Sequence, residues 1–148
     1  MPRWSRNGYV VDTAPERLDR VLVRDFLATS YWAEGIPQDV VDAACAGSVC
    51  FGLYEEPGGA QVGFARVVTD GATFAYLADV FVLPPQRGQG LSKWLVACVL
   101  EHPGLQGLRR WMLATRDAHG LYARFGFEPL DDPRKFMQIA RPGLYRSG

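Results

Sequence analysis

The chain has 148 residues, 48% of them hydrophobic and 22% charged, which is enough apolar material for one folded domain and excludes a disordered chain. Sixteen basic and sixteen acidic residues cancel, and without a basic tract to neutralise a phosphate backbone, nucleic acid is not an expected partner. No apolar run approaches the ~20 residues of a membrane span, and Met1 to Arg6 shows no apolar signal core, so the reading is a cytoplasmic protein with no membrane partner.

Trp4 to Val11 reads as a short edge strand. Thr13-Ala14-Pro15-Glu16 has capping-box spacing, with Leu18, Val21, Leu22 and Phe26 at helical spacing behind it, so a helix is expected to about Leu27. The loop Ser30 to Pro37 breaks it, and a shorter helix is expected from Gln38 to Ala46. The period then becomes extended. Val49–Tyr54, Gln61–Val68 and Thr73–Leu83, joined by turns at Glu55-Glu56-Pro57-Gly58-Gly59 and Asp70-Gly71, predict an antiparallel meander. Pro84-Pro85 stops the third strand, and Leu91, Trp94, Leu95 and Cys98 mark an amphipathic helix ending near His102-Pro103-Gly104.

Arg109 to Ala114 reads as the next strand, and strand–helix–strand implies a parallel pairing. A last helix carries Ala118, Leu121, Tyr122 and Phe125 on one face, with Gly126 placed for a left-handed C-terminal cap. Phe127–Leu130 and Lys135–Ala140 are expected to be two final strands. The whole chain, 1–148, reads as one α/β (α+β) domain with a mixed sheet. Cys45, Cys50 and Cys98 lack C-x-x-C spacing and read as buried free thiols. His102 and His119 are too few and too scattered for a zinc site, so no metal is expected.

The stretch from Val80 to Lys93 carries the most chemistry. A strand ends, the chain turns through Gly88 and Gly90, and a helix begins at once. Glycines permit close backbone approach, and the first helical N–H groups lack internal acceptors, which suits an anion such as a diphosphate. A tight connection with no ligand explains the glycines equally well, and the P-loop pattern is absent.

Val82-Leu83-Pro84-Pro85-Gln86-Arg87-Gly88-Gln89-Gly90 resembles the acyl-CoA-binding motif of the GNAT superfamily of N-acetyltransferases, whose Arg/Gln-x-x-Gly-x-Gly/Ala falls on Arg87 to Ser92. Ser92 stands where that family usually has Gly or Ala. Thr115 to Phe127 is similar to a second family pattern, Asn-x-x-Ala-x-x-Leu-Tyr-x-x-x-Gly-Phe, with Thr115 in place of Asn and Ala118, Leu121, Tyr122, Gly126 and Phe127 matching.

The resemblance implies a mostly antiparallel mixed sheet of six to seven strands with about four helices, in which a splayed parallel strand pair binds CoA. It implies acetyl-CoA as cosubstrate and transfer of its acetyl group to a primary amine, foremost that of a small molecule, by direct attack. Carried over, Val80, Phe81 and Val82 line the pantetheine arm. The amides of Arg87, Gly88, Gln89, Gly90, Leu91 and Ser92 hold the diphosphate, and Thr115 and Tyr122 complete the cosubstrate site. Tyr122 falls on the family's general acid, whose phenol protonates the leaving thiolate; from the residues alone a core tyrosine is the other reading.

Asp79, an acid in an apolar strand, is read either as the base or as a structural acceptor, and strand alternation turns it to the wrong face for a base unless a bulge changes the parity. His119 is a further acceptor candidate, with a plain surface histidine as the alternative. Tyr31 and Trp32 form either a wall or lid over the amine or a plug of the sheet edge or a dimer contact. Homodimerisation through Phe136, Met137, Ile139 and Leu144 is a further expectation. Two other functions stay open: a catalytically silent acyl-CoA-binding or regulatory module, and an acetyltransferase for a protein N-terminus or lysine.

Overall fold

A computed structural model of the chain describes residues 1–146. Six strands form one sheet in sequence order: β1 (Arg3–Arg6), β2 (Tyr9–Asp12), β3 (Val49–Glu55), β4 (Gln61–Thr69), β5 (Phe74–Val82) and β6 (Arg110–Met112). All neighbours are antiparallel except β5 and β6. Four α-helices accompany them: α1 (Arg20–Ala28), α2 (Gln38–Ala46), α3 (Leu91–Glu101) and α4 (His119–Ala123). Among the described residues the sheet is therefore mixed and mostly antiparallel, with six strands. Among the described residues no helix is long and apolar enough to cross a membrane.

Strand alternation sends side chains to two cores. On one face Phe51, Leu53, Val67, Ala75 and Leu77 pack against Leu91, Leu95, Val96 and Val99 of α3 and against Tyr122. On the other, Cys50, Phe64 and Phe81 meet Val23, Leu27, Val41 and Cys45 of α1 and α2. Phe81 stacks on Phe26 with ring centroids 4.0 Å apart, tying α1 to β5. The three cysteines are free and buried.

Four expectations need correction. The single N-terminal strand is a hairpin, turned by Asn7 and Gly8, whose φ angles of 41° and 85° suit a two-residue hairpin turn. The first helix begins at Arg20. Pro15–Arg17 makes only a short 3-10 turn, Leu18 is extended, and Asp19 then caps α1 by accepting the Leu22 N–H at 3.0 Å. That restart changes the buried face, so Val23 and Leu27 go in and Val21 lies 60% exposed. Neither Phe127–Leu130 nor Lys135–Ala140 forms a strand; among the described residues nothing pairs with the outer edge of β6, and Pro133–Lys135 makes a 3-10 turn. Finally, β6 is shorter than the expected 109–114 span and ends at Met112.

Candidate active site

β5 and β6 pair only as far as Tyr76 and Met112. Beyond that point β5 runs on to Val82, while the segment after β6 turns away through Leu113 to Thr115 and into α4. The gap is a cleft of about 640 Å³ lined by Tyr76 to Val80 on one side and Leu113 to Ala118 with Tyr122 on the other. It adjoins a second space of about 580 Å³ bordered by Val80, Phe81, Val82, Arg87, Ser92 and Tyr122. Val80 and Tyr122 border both spaces, Thr115 the first and Phe81 and Val82 the second.

The splay begins at a bulge. β4 pairs Phe64 with Phe81 but Arg66 with Ala78, so Asp79 and Val80 together face the single residue Ala65. Asp79 absorbs the extra residue with φ 57°, a left-handed conformation that Asp tolerates better than most side chains. The parity therefore changes: Leu77 packs toward α3 and Phe81 toward α1. Asp79 ends on the α1–α2 side. There Oδ2 accepts the Arg66 Nε–H at 2.8 Å, and Oδ1 accepts the Trp32 Nε1–H at 2.8 Å. Arg66 donates in turn to Ser48 Oγ at 3.1 Å. The ion pair is largely shielded, its side chains 12% and 19% exposed for Asp79 and Arg66. A carboxylate so placed is costly unless satisfied, and here both oxygens are engaged.

Tyr31 and Trp32 sit in the α1–α2 loop, packed edge-on with centroids 5.1 Å apart. Tyr31 reaches across the cleft, where its hydroxyl accepts the Arg116 backbone N–H at 3.1 Å and its ring lies 4.0 Å from the Arg116 guanidinium. The loop therefore roofs the splay and is tied to both of its sides. Both rings remain about half exposed, facing the opening.

Tyr122 is nearly buried, with its ring 5.9 Å from that of Phe127. Its hydroxyl has no hydrogen-bond partner among the described residues, although it borders both spaces. Burial, with the neighbouring Tyr31 phenol, pushes the Tyr122 pKa above its ordinary value, so it carries its proton at neutral pH. Thr115 does the work of a helix-entry acceptor, its hydroxyl taking the Ala118 N–H at 3.1 Å. Gly126, at φ 94°, ends the α4 segment as expected.

Gly90 precedes α3 at φ 75° and offers no side-chain cap, and Gly88 lies at φ 87°. The amides of Gly88 to Lys93 have no acceptor among the described residues. A Cβ added to Gly88 or Gly90 would meet nothing within 4 Å. A side chain there would project into the open space in front of those donors. The Arg87 guanidinium folds back to donate from Nε to the Val82 carbonyl at 2.9 Å, and the Gln89 side chain donates from Nε2 to the Gln86 carbonyl at 3.1 Å. Six free N–H groups at the positive end of an eleven-residue helix form a fit receptacle for a diphosphate.

Arg66 and Arg116 were not singled out from the sequence. The signal for Arg66 is a charge at an inward position of an otherwise apolar strand; Arg116 gave none beyond its place in the second motif. His119 is exposed and lines none of these spaces.

Comparison with known proteins places this geometry. Residues 46–129 match the family model described as the acetyltransferase (GNAT) domain. A candidate acetyltransferase of Gibberella zeae is 36% identical over 142 residues, covering 82% of this chain and 79% of its own. The crystal structure of a candidate acetyltransferase of the GNAT family from Xanthomonas campestris pv. campestris superposes with a TM-score of 0.90 at 50% identity, over 95% of this chain and 99% of that one. A Clostridium acetobutylicum protein solved with acetyl-CoA, described as a predicted acetyltransferase, shares the fold at a TM-score of 0.64 and 12% identity, over 89% and 94% of the two chains. On the family match and on these relatives, the chain belongs to the GNAT acetyltransferase family.

Proposed function

We propose that the protein transfers an acetyl group from acetyl-CoA to the primary amine of a small molecule, within the β5–β6 splay. The observation that carries the proposal is the cleft itself, with the free edge of Val80–Val82 on one wall, the Tyr122 hydroxyl on the other and the N–H cradle of residues 88–93 at one end. Acetyl-CoA as the ligand draws support from the family and from the neighbour solved with it.

In this reading the amine nitrogen attacks the thioester carbonyl carbon, forming the C–N bond. An N–H of the unpaired β5 edge stabilises the negative charge that gathers on the oxygen. As the C–S bond breaks, the Tyr122 O–H gives its proton to the sulfur, and the excess proton on nitrogen passes to water. Since Asp79 has both oxygens held by Arg66 and Trp32, we assign it the positioning of the roof rather than proton abstraction. Trp32 and Tyr31 then form the wall over the amine. Thr115 holds the turn that delivers α4 and Tyr122 to the cleft.

The unpaired outer edge of β6 and the exposure of Met137 and Ile139 support a homodimer, and the reading includes action in the cytoplasm. The aromatic roof, tied to both sides of the cleft, favours a small acceptor over a peptide, and the poised Tyr122 favours an enzyme over a silent binding module. Calorimetric titration with acetyl-CoA, beside ATP and desulfo-CoA, tests the proposal. We expect saturable binding of acetyl-CoA and desulfo-CoA that Gly90→Asp abolishes by placing a carboxylate before the cradle. No binding at millimolar acetyl-CoA overturns it.

A further inference from the structure

The Arg66–Asp79 ion pair borders two spaces. One is the splay; the other is a chamber of about 230 Å³ on the α1–α2 side, walled by Val23, Ile36, Val41, Ala44, Cys45 and Phe64 and closed by Tyr145. Closure by the chain's C-terminal segment is specific. Gly35, at φ 79°, lies so close to the Tyr145 carbonyl that an added Cβ would sit 2.7 Å from it, and Arg146 pairs with Glu34 at 3.1 Å. The chamber thus has apolar walls, one charged edge shared with the cleft, and a lid that belongs to the same chain.

We infer that this chamber receives the hydrocarbon body of the acceptor, which is a monoamine carrying one aromatic ring or a short apolar chain. The inference rests on the proposed acetyl transfer and names its substrate class. Size supports it: about 150 Å³ of apolar cavity is enough to hold a benzene ring, and this space is larger. Charge supports it as well. Among the described residues the cleft and chamber are lined by two carboxylates, Asp79 and Asp117, and by two guanidiniums, Arg66 and Arg116. Asp79 is held by Arg66 and Trp32, and Asp117 pairs with Arg116 at 3.3 Å. A polycationic acceptor needs several unengaged carboxylates to replace its hydration, and this site offers only the solvent-exposed Asp117, weakly paired with Arg116, whereas an apolar body needs only the surface that the chamber presents.

The test compares 2-phenylethylamine with spermidine and methylamine. Binding of each is read by calorimetry on protein saturated with desulfo-CoA, which cannot react, and kcat/KM is read by thiol release. We expect 2-phenylethylamine to bind measurably and to exceed both others in kcat/KM by about tenfold or more, roughly 1.4 kcal/mol. Ala44→Leu fills the chamber from α2 and is expected to raise the KM for 2-phenylethylamine about tenfold, while the acetyl-CoA Kd, which reports folding, stays within about twofold. Tyr145→Ala removes the lid from the opposite side and is expected to weaken the same amine. A preference for spermidine, or an unchanged 2-phenylethylamine KM in both variants, overturns the inference while leaving acetyl transfer intact. Absence of acetyl-CoA binding overturns the transfer itself, and the amine is then titrated into the free protein, where binding of 2-phenylethylamine that Ala44→Leu weakens supports the chamber and no binding overturns it.

Discussion

Tyr122→Phe removes one oxygen and leaves the ring where it is. Packing against Phe127 persists, and no hydrogen bond among the described residues is lost, so the folded protein should be about as stable as before, within about 1 kcal/mol. The effect on turnover should be large. A positioned general acid contributes about 10²- to 10⁴-fold, which corresponds to about 2.7–5.4 kcal/mol of barrier. The variant is therefore expected to melt at the wild-type temperature, to keep its acetyl-CoA KM within about threefold, and to lose kcat by at least about a hundredfold in a thiol-release assay. The pH dependence follows from the same burial. With its pKa held above the ordinary value near 10, the phenol keeps its proton through the neutral and mildly alkaline range, so the wild-type rate should show no loss from this group below about pH 10. A Tyr122→Phe protein that turns over within about threefold of wild type, with unchanged melting, refutes the assignment of Tyr122 as the acid.

Asp79→Asn separates positioning from base catalysis: it breaks a largely shielded ion pair, at a cost of about 3 kcal/mol in denaturant titration, and is expected to raise the amine KM while kcat falls less than about tenfold. Loss of kcat by a hundredfold together with loss of the acid limb of the pH–rate profile would instead make Asp79 the base. Leu95→Ala, at a fully buried position where α3 meets the sheet, should cost about 2–5 kcal/mol in unfolding without altering the order of acceptor preference. Asp70 accepts from the Thr73 N–H at 2.8 Å, the Thr73 hydroxyl at 2.7 Å and the Ala72 N–H at 2.9 Å, and these bonds hold its pKa well below the usual carboxylate range. Its contribution is complete above the unfolded pKa near 3.9 and is lost as pH falls toward the lower folded value, so the stability gap between wild type and Asp70→Ala should be smaller at pH 3 than at pH 7 in urea titrations.

The parts of this protein that depend on local pattern can be read from the chain. α3 shows in Leu91, Trp94, Leu95 and Cys98, and the glycine turn before it shows in Arg87 to Gly90, because helix periodicity and left-handed glycines are properties of a few consecutive residues. The N-terminal hairpin escapes that reading: Asn7-Gly8 is a dipeptide that such a turn favours, but flanking strands of four residues each show no period of their own. The site's polar scaffold is of another kind. Trp32 and Asp79 lie 47 positions apart, and Tyr31 and Arg116 85 apart, so only the folded sheet brings them together. The bulge at Asp79 is set by the mismatch between β4 and β5, and nothing in the Tyr76–Leu83 stretch distinguishes a bulged strand from a regular one. Near the end of the described residues, apolar side chains such as Met137 and Ile139 give a strand-like pattern, but no strand among the described residues pairs with them.

The account stands on the acyl donor occupying the β5–β6 splay with its diphosphate at the start of α3. The most direct measurement is a titration of isotope-labelled protein with acetyl-CoA, followed through the backbone amide resonances. We predict that the amides of residues 88–93 and of Val80 to Val82 move together and saturate at one affinity, while those of β1 and β2 stay in place. Saturable binding that leaves residues 88–93 unmoved would contradict the account.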